Sequence, residues 1–79
     1  MLVELRKKSH AVEVILNGSE TGISITEELI VDLQEIIGSS SDYEITKLVS
    51  YEVKMKYNDL DIIVFESLFK QEVIKYLIG

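Results

Sequence analysis

A strict alternation of apolar and polar residues over residues 49–57, in the segment VSYEVKMKY, most limits the folds open to this chain. Side chains that alternate at period two lie on opposite faces of a β-strand. The pattern therefore predicts a long strand over residues 45–57. After a turn at Asn58 and Asp59, residues 60–65 predict another strand.

That other strand has an unusual distribution of apolar residues. Leu60, Ile62 and Val64 share one face, but Ile63 and Phe65 lie on the opposite face and are also large and apolar. We expect the amphipathic helices of the chain to cover both faces of the sheet. The alternative is that Ile63 and Phe65 form an interface with a second chain, by self-association or by strand addition.

The N-terminal part of the chain predicts further β-structure. Residues 2–6 and 11–16 have strand-like patterns, and the polar segment KKSH between them is suited to a hairpin connection. The segment NGSETG predicts a turn, because Asn-Gly adopts positive φ at little cost. The following ISI predicts a short third strand.

Two amphipathic helices complete the prediction. The first begins at Ser24 or Thr26 and ends near residue 37, before Gly38, and the second begins near Glu66. The predicted order is β-β-(β)-α-β-β-α. Residues 1–79 are thus expected to form one small α+β domain, with a mainly antiparallel sheet of 4–5 strands and two amphipathic helices.

Composition narrows the possible functions. A chain of 79 residues with 47 % hydrophobic residues and no cysteine must be stabilised by apolar packing. It contains one histidine and no phosphate-binding loop motif, so we predict no cofactor and no metal site. The absence of a signal peptide pattern and of a long apolar run predicts a cytoplasmic protein without a membrane segment.

One three-residue pattern resembles the spacing of metal-dependent nucleases. Asp42 precedes Glu52 and Lys54, and two carboxylates with a lysine can support metal-assisted hydrolysis. On the predicted alternating strand, however, Glu52 and Lys54 simply occupy the solvent face. We therefore predict that the protein is not an enzyme.

The distribution of charge is the main functional signal. The formal net charge is −6, which argues against direct binding to a nucleic-acid backbone. Residues 9–46 contain no lysine or arginine. The same stretch carries eight acidic residues: Glu13, Glu20, Glu27, Glu28, Asp32, Glu35, Asp42 and Glu44.

Three of these acids form a ridge on the first predicted helix. Glu28, Asp32 and Glu35 have i, i+4, i+7 spacing, and Glu27 and Val31 lie beside them. Like charges at this spacing destabilise a helix slightly, which suggests a role in binding. The other interpretation is a solvated face that keeps a small protein soluble. We predict that this acidic ridge (Glu27, Glu28, Val31, Asp32 and Glu35) binds a partner.

These features together favour a small acidic protein-binding module. The preferred prediction is an inhibitor or adaptor that occludes a basic site of a nucleic-acid-handling enzyme, as a DNA mimic in the style of phage or mobile-element anti-defence proteins. The alternative is a homodimeric regulatory or structural domain that uses the Ile63/Phe65 face. The segments GISITEEL and NDLDIIV are similar to those of swapped-hairpin transition-regulator and antitoxin domains, which dimerise and bind DNA. This chain lacks the basic residues that those domains present to DNA.

Overall fold

The computed structural model describes residues 1–33 and 40–78, with the side chains of residues 1–30 and 44–78. The protein is a small α+β domain in which a β-meander is followed by helices. Its elements are β1 (Val3–Lys7), β2 (Ala11–Leu16), β3 (Ser19–Thr26), α1 (Glu27–Leu33), α2 (Ser40–Lys56) and α3 (Ile62–Ile78).

The sheet is antiparallel, and its strands lie in the order β1-β2-β3. Asn17 and Gly18 form the two-residue connection between β2 and β3, with φ of 51° and 80°, while Leu16 pairs with Ser19. Positive φ at both central residues matches the twist of the flanking strands. The predicted third strand is confirmed, and it is longer than the ISI segment from which it was predicted.

Helices α2 and α3 pack on one face of this sheet, α3 against β1 and α2 against β3. The core between them is apolar, and Phe65 and Phe69 stack within it with ring centroids 5.9 Å apart. The buried residues of this core are Val3, Val12, Val14, Leu16, Ile23, Ile25, Ile30, Val49, Val53, Leu60, Phe65, Phe69 and Val73.

The prediction of strands in the second half of the chain is wrong. Residues 49–56 belong to α2, and α3 begins at Ile62, so the sheet of the described residues has three strands rather than 4–5. The predicted order of elements is therefore not confirmed. The alternation misleads because Val49 and Val53 have i, i+4 spacing and also satisfy a helix, in which both are buried.

Hydrogen bonds at the helix ends explain where the helices begin. Of the two predicted caps for α1, Thr26 is the one observed, since its Oγ1 accepts a hydrogen bond from the Leu29 N–H at 3.2 Å. Asp61 caps α3 and accepts from the N–H groups of Ile63 and Val64, each at 3.2 Å. The acidic side chain in the NDLD segment thus starts a helix and not a strand.

Candidate functional site

The acidic ridge begins where α1 leaves the sheet. Glu27 and Glu28 occupy the first turn of α1, and Val31 and Asp32 belong to the same helix. The side chains of Val31 and Asp32 lie outside the part that the structure describes, as does the whole of Glu35. The described part of the ridge is therefore its N-terminal end.

The carboxylate of Glu27 is held within the fold. Its Oε1 lies 3.1 Å from the Lys7 Nζ and accepts a hydrogen bond of 3.0 Å from the Tyr76 hydroxyl. We call Lys7, Glu27 and Tyr76 the Glu27 cluster, and it joins β1, α1 and α3. Since these contacts occupy the carboxylate, Glu27 is less available to a partner than its exposed neighbour Glu28.

The pKa values in this cluster follow from the same contacts. The hydrogen bond from Lys7, followed by that from Tyr76, holds the pKa of the Glu27 carboxyl below its usual value. The hydrogen bond to Glu27 also raises the pKa of Lys7. Desolvation, with a further contribution from Glu27, raises the pKa of the Tyr76 hydroxyl. At neutral pH the cluster therefore holds an ionised Lys7–Glu27 pair.

The other basic residues of β1 and its turn pair with acids in the same way. Lys8 Nζ lies 3.2 Å from a carboxylate oxygen of Glu20 and 3.5 Å from one of Glu13, and Arg6 is 3.6 Å from Glu20. These contacts bring the basic N-terminal segment against the acidic stretch that follows it. The charge asymmetry of the sequence is therefore partly cancelled in three dimensions.

The outer face of α2 carries a feature that the strand prediction missed. Leu48, Tyr51 and Met55 are 62 %, 52 % and 81 % exposed, and their i, i+3, i+7 spacing places them on one face of the helix. We call these three residues the apolar stripe. The signal in the sequence was this helical spacing, but the alternation placed Tyr51 and Met55 on the same face as Val49 and Val53.

An open groove runs beside the stripe, between α2 and strand β3. We call it the edge groove. The part of the groove beside Ser24 and Thr26 has a volume of about 250 Å³. Its lining residues are Ile23, Ser24, Ile25, Thr26, Leu29, Ile45, Leu48, Val49 and Glu52. It continues into a wider region of about 430 Å³ lined by Ile23, Glu52, Met55 and Lys56. Apolar side chains, one carboxylate and the backbone of a strand thus meet at one surface.

The two residues of the predicted second interface occupy different environments. Phe65 is fully buried in the core, whereas Ile63 is 76 % exposed on α3. A helix places adjacent residues about 100° apart, so Ile63 and Phe65 do not share a face as they would on a strand. Phe65 is therefore part of the core, and only Ile63 is accessible for an interface.

The residues of the nuclease-like pattern are not brought into a common site. Lys54 donates hydrogen bonds from Nζ to the carbonyl oxygens of Asn58 and Leu60, at 2.6 and 2.7 Å, and so closes the turn between α2 and α3. Glu52 lines the edge groove, and the side chain of Asp42 lies outside the described part.

The described residues also bear on metal and membrane binding. Among the side chains of residues 1–30 and 44–78, no group of three or more acidic or histidine residues is arranged to hold a metal ion. In the same part of the chain, none of the helices combines the length and apolar character needed to cross a bilayer.

Comparison with known proteins adds no relative. No family model, no curated protein and no solved structure matches the chain. The function must therefore be inferred from the residues of this protein.

Proposed function

We propose that the protein is a non-enzymatic protein-binding module, an inhibitor or adaptor that covers a basic surface of another protein. The observation that carries this proposal is the apolar stripe. Large apolar side chains that lie together in solvent are typical of interaction sites, since a monomeric protein gains stability by burying them. Met55 in particular is mostly exposed, and flexible methionine side chains suit adaptable binding surfaces.

Two exposed acidic side chains favour a basic partner. Glu28 and Glu52 are both exposed, and neither forms an ion pair within the described part of the chain. They differ in this from Glu13, Glu20 and Glu27, which pair with basic residues of the N-terminal segment. Glu52 lines the edge groove with Leu48 and Met55, and the Lys47 Nζ lies 6.0 Å from the centre of the Tyr51 ring. The stripe therefore has a polar rim with charges of both signs, and it is the acidic excess of the chain that favours a basic partner. A nucleic-acid-handling enzyme offers a basic surface of this kind.

Site-specific photocrosslinking tests the position of the interface. We would place p-benzoylphenylalanine at Tyr51 in the stripe or at Gln71, an exposed position on α3, and irradiate each protein in a lysate of the organism that encodes it. The expected result is an adduct with one defined protein at Tyr51 and none at Gln71. Equal labelling at the two positions would contradict a binding site on α2.

A matched pair of double variants tests the contribution of the stripe. Leu48→Ser/Met55→Ser should abolish formation of the adduct, whereas Ile63→Ser/Ile78→Ser removes comparable exposed apolar area from α3 and should leave it unchanged. Purified partner would then be titrated with a fluorescent oligonucleotide. An inhibitor competes with the oligonucleotide, and an adaptor allows both to bind at once.

The acidic ridge is proposed to attract the basic partner electrostatically. The triple variant Glu28→Gln, Asp32→Gln, Glu35→Gln should slow association with the partner and weaken its dependence on salt, because exposed charges steer encounter and are screened by ions. Surface plasmon resonance at several salt concentrations measures both effects. An unchanged association rate at low salt would remove the ridge from the interface.

The second candidate is a homodimer formed through α3. Ile63, Ile74 and Ile78 are exposed on one face of this helix, and they would provide the apolar centre of an isologous interface. Light scattering of the purified protein, with Ile63→Ser/Ile78→Ser as the comparison, distinguishes this candidate. A dimer in the absence of any partner that the double variant converts to a monomer would support it.

A further inference from the structure

Among the described residues, strand β3 is an edge of the sheet, and its pairing with β2 shows which of its backbone groups face outward. The Glu27 N–H donates to the His10 carbonyl at 3.4 Å, which extends the ladder between the two strands. Hydrogen-bonded pairs alternate in an antiparallel ladder, so Val12 and Ile25 form the next such pair. The N–H and C=O of Ser24 therefore point away from β2, toward the open edge.

The edge groove lies on this open side. Both Ser24 and Thr26 line it, and by the same alternation the Thr26 N–H also faces outward. The groove follows α2 from Ile45 to Lys56, a helical distance of about 16 Å. At a rise of about 3.3 Å per residue, this length matches about five residues of extended chain. Backbone donors and acceptors of β3 thus lie along the edge groove, which is long enough for about five residues of an added strand.

The side chains of the groove indicate the chemistry of its occupant. Leu48 and Met55 are exposed apolar groups on the helical wall. Glu52 lines both parts of the groove and forms no ion pair among the residues whose side chains are described. Lys56 lines only the wider region, where its Nζ donates to the Thr21 carbonyl at 2.5 Å and keeps its positive charge, whereas the part of the groove along Ser24 and Thr26 has Glu52 as the charged residue among its described lining. An occupant with apolar side chains and one cation would cover the apolar groups and pair with the carboxylate of Glu52.

The overall charge makes a second copy of this chain a poor occupant. Each copy has a formal net charge of −6, so the overall charge opposes the association of two copies. A basic segment is attracted by the same charge.

We propose that the edge groove binds an extended, basic and apolar segment of a partner protein by strand addition. The backbone of the segment pairs with Ser24 and Thr26, its apolar side chains contact Leu48 and Met55, and an arginine or lysine pairs with Glu52. This inference rests on the proposed function and specifies how the partner is held. Backbone pairing supplies affinity in this mode, and alternate side chains supply specificity.

The test titrates the isotope-labelled full chain with the blocked peptide Thr-Val-Thr-Val-Thr-Arg-Thr and follows amide signals by NMR. We expect saturable shifts and slower amide exchange at Ser24 and Thr26, with smaller shifts at Leu48 and Met55. An absence of shifts at Ser24 and Thr26 would overturn the inference. Shifts there that depend on protein concentration without peptide would also overturn it, in favour of a second copy.

Two N-methylated peptides provide the control for strand addition. In an added strand, every second amide pairs with β3 and the others face away. Methylation of one alternating set should therefore weaken binding by at least about tenfold, and methylation of the other set should change it little. Equal effects of the two sets would overturn strand addition.

A charge exchange tests the role of Glu52. Glu52→Arg should weaken binding of the arginine peptide by about threefold to fivefold, as expected for an exposed ion pair, and an Arg-to-Glu peptide should restore it. If the Glu-containing peptide binds the Glu52→Arg protein no better than the two separate changes predict, Glu52 does not pair with the arginine of the peptide.

Failure of strand addition can be distinguished from failure of the proposed function. If the Tyr51 crosslink and its loss in Leu48→Ser/Met55→Ser are observed but the peptide does not bind at Ser24, strand addition is wrong and the protein-binding module stands.

Discussion

Helices α2 and α3 have equal lengths of 17 residues and lie on the same face of the sheet, but they distribute their apolar side chains differently. The core side of α3 carries two large aromatic residues, Phe65 and Phe69. The core side of α2 carries Val53 and the small polar Ser50, whose Oγ donates to the Thr46 carbonyl at 2.7 Å. Three large apolar residues of α2, namely Leu48, Tyr51 and Met55, face solvent. In the core, α3 therefore contributes the larger buried side chains, and the proposed function assigns binding to the exposed Leu48, Tyr51 and Met55 of α2.

The largest expected effect is in the core of α3. Phe69→Ala should lower the free energy of unfolding by about 3–5 kcal/mol, because it removes a buried ring and leaves a cavity next to Phe65. Urea denaturation monitored by circular dichroism measures the change. A loss below 1 kcal/mol would break the proposed division between the two helices.

The buried face of α2 should contribute less. Val53→Ala removes two buried methyl groups and should cost about 2 kcal/mol, measured in the same denaturation experiment. A loss as large as that of Phe69→Ala would mean that both helices stabilise the core equally.

The Glu27 cluster should make a smaller contribution that depends on pH, because it attaches the last turns of α3 to α1 and β1. The pKa of the Glu27 carboxyl is lower in the folded chain than its ordinary value of 4.5. Its ionised form therefore stabilises the fold above pH 4.5, and this contribution is lost as the pH falls through the folded-state pKa.

Glu27→Gln should accordingly lower the melting temperature at neutral pH and have progressively less effect in acid. The matched control is Glu28→Gln, an exposed neighbour on the same helix, which should change little at either pH. Thermal melts at pH 7 and pH 3 measure both variants. A difference between wild type and Glu27→Gln that is as large at pH 3 as at pH 7 would show that the ionised pair is not its source.

The smallest effect on stability is expected at the apolar stripe. Leu48→Ser and Met55→Ser should each change the free energy of unfolding by less than about 0.5 kcal/mol, since both side chains lie largely in solvent. The double variant Leu48→Ser/Met55→Ser should nevertheless abolish capture of the partner. A large loss of stability would show that the stripe contributes to the core, and it would contradict a binding role for these residues.

The elements in the N-terminal half of the fold can be predicted from short-range sequence patterns. The Asn17-Gly18 pair allows only a tight turn at low cost, and the strands on either side alternate in register with it. The cap at Thr26 follows from short-range chemistry as well, since its side chain bonds to a backbone group three residues away. Interactions within a few residues were enough to predict these elements.

The candidate site was less accessible to prediction. Glu28 was predicted and lies exposed, but Glu27 is engaged by Lys7 and Tyr76, residues far from it in sequence. The apolar stripe was missed because an alternating pattern and a helical pattern share every fourth position. Only the pairing of distant elements shows which charges remain unpaired and which face of α2 is covered.

The α+β class, the β-hairpin turn, the start of α1 and the acidic excess thus follow from composition or from neighbours in the chain. The helix over residues 49–56, the place of Phe65 in the core and the exposure of Leu48 and Met55 depend instead on how distant segments pack. The physical reason is that burial is a property of packing. A pattern that fits both a strand and a helix takes the conformation that buries Val49 and Val53 in the core, where α2 packs against β3 and α3.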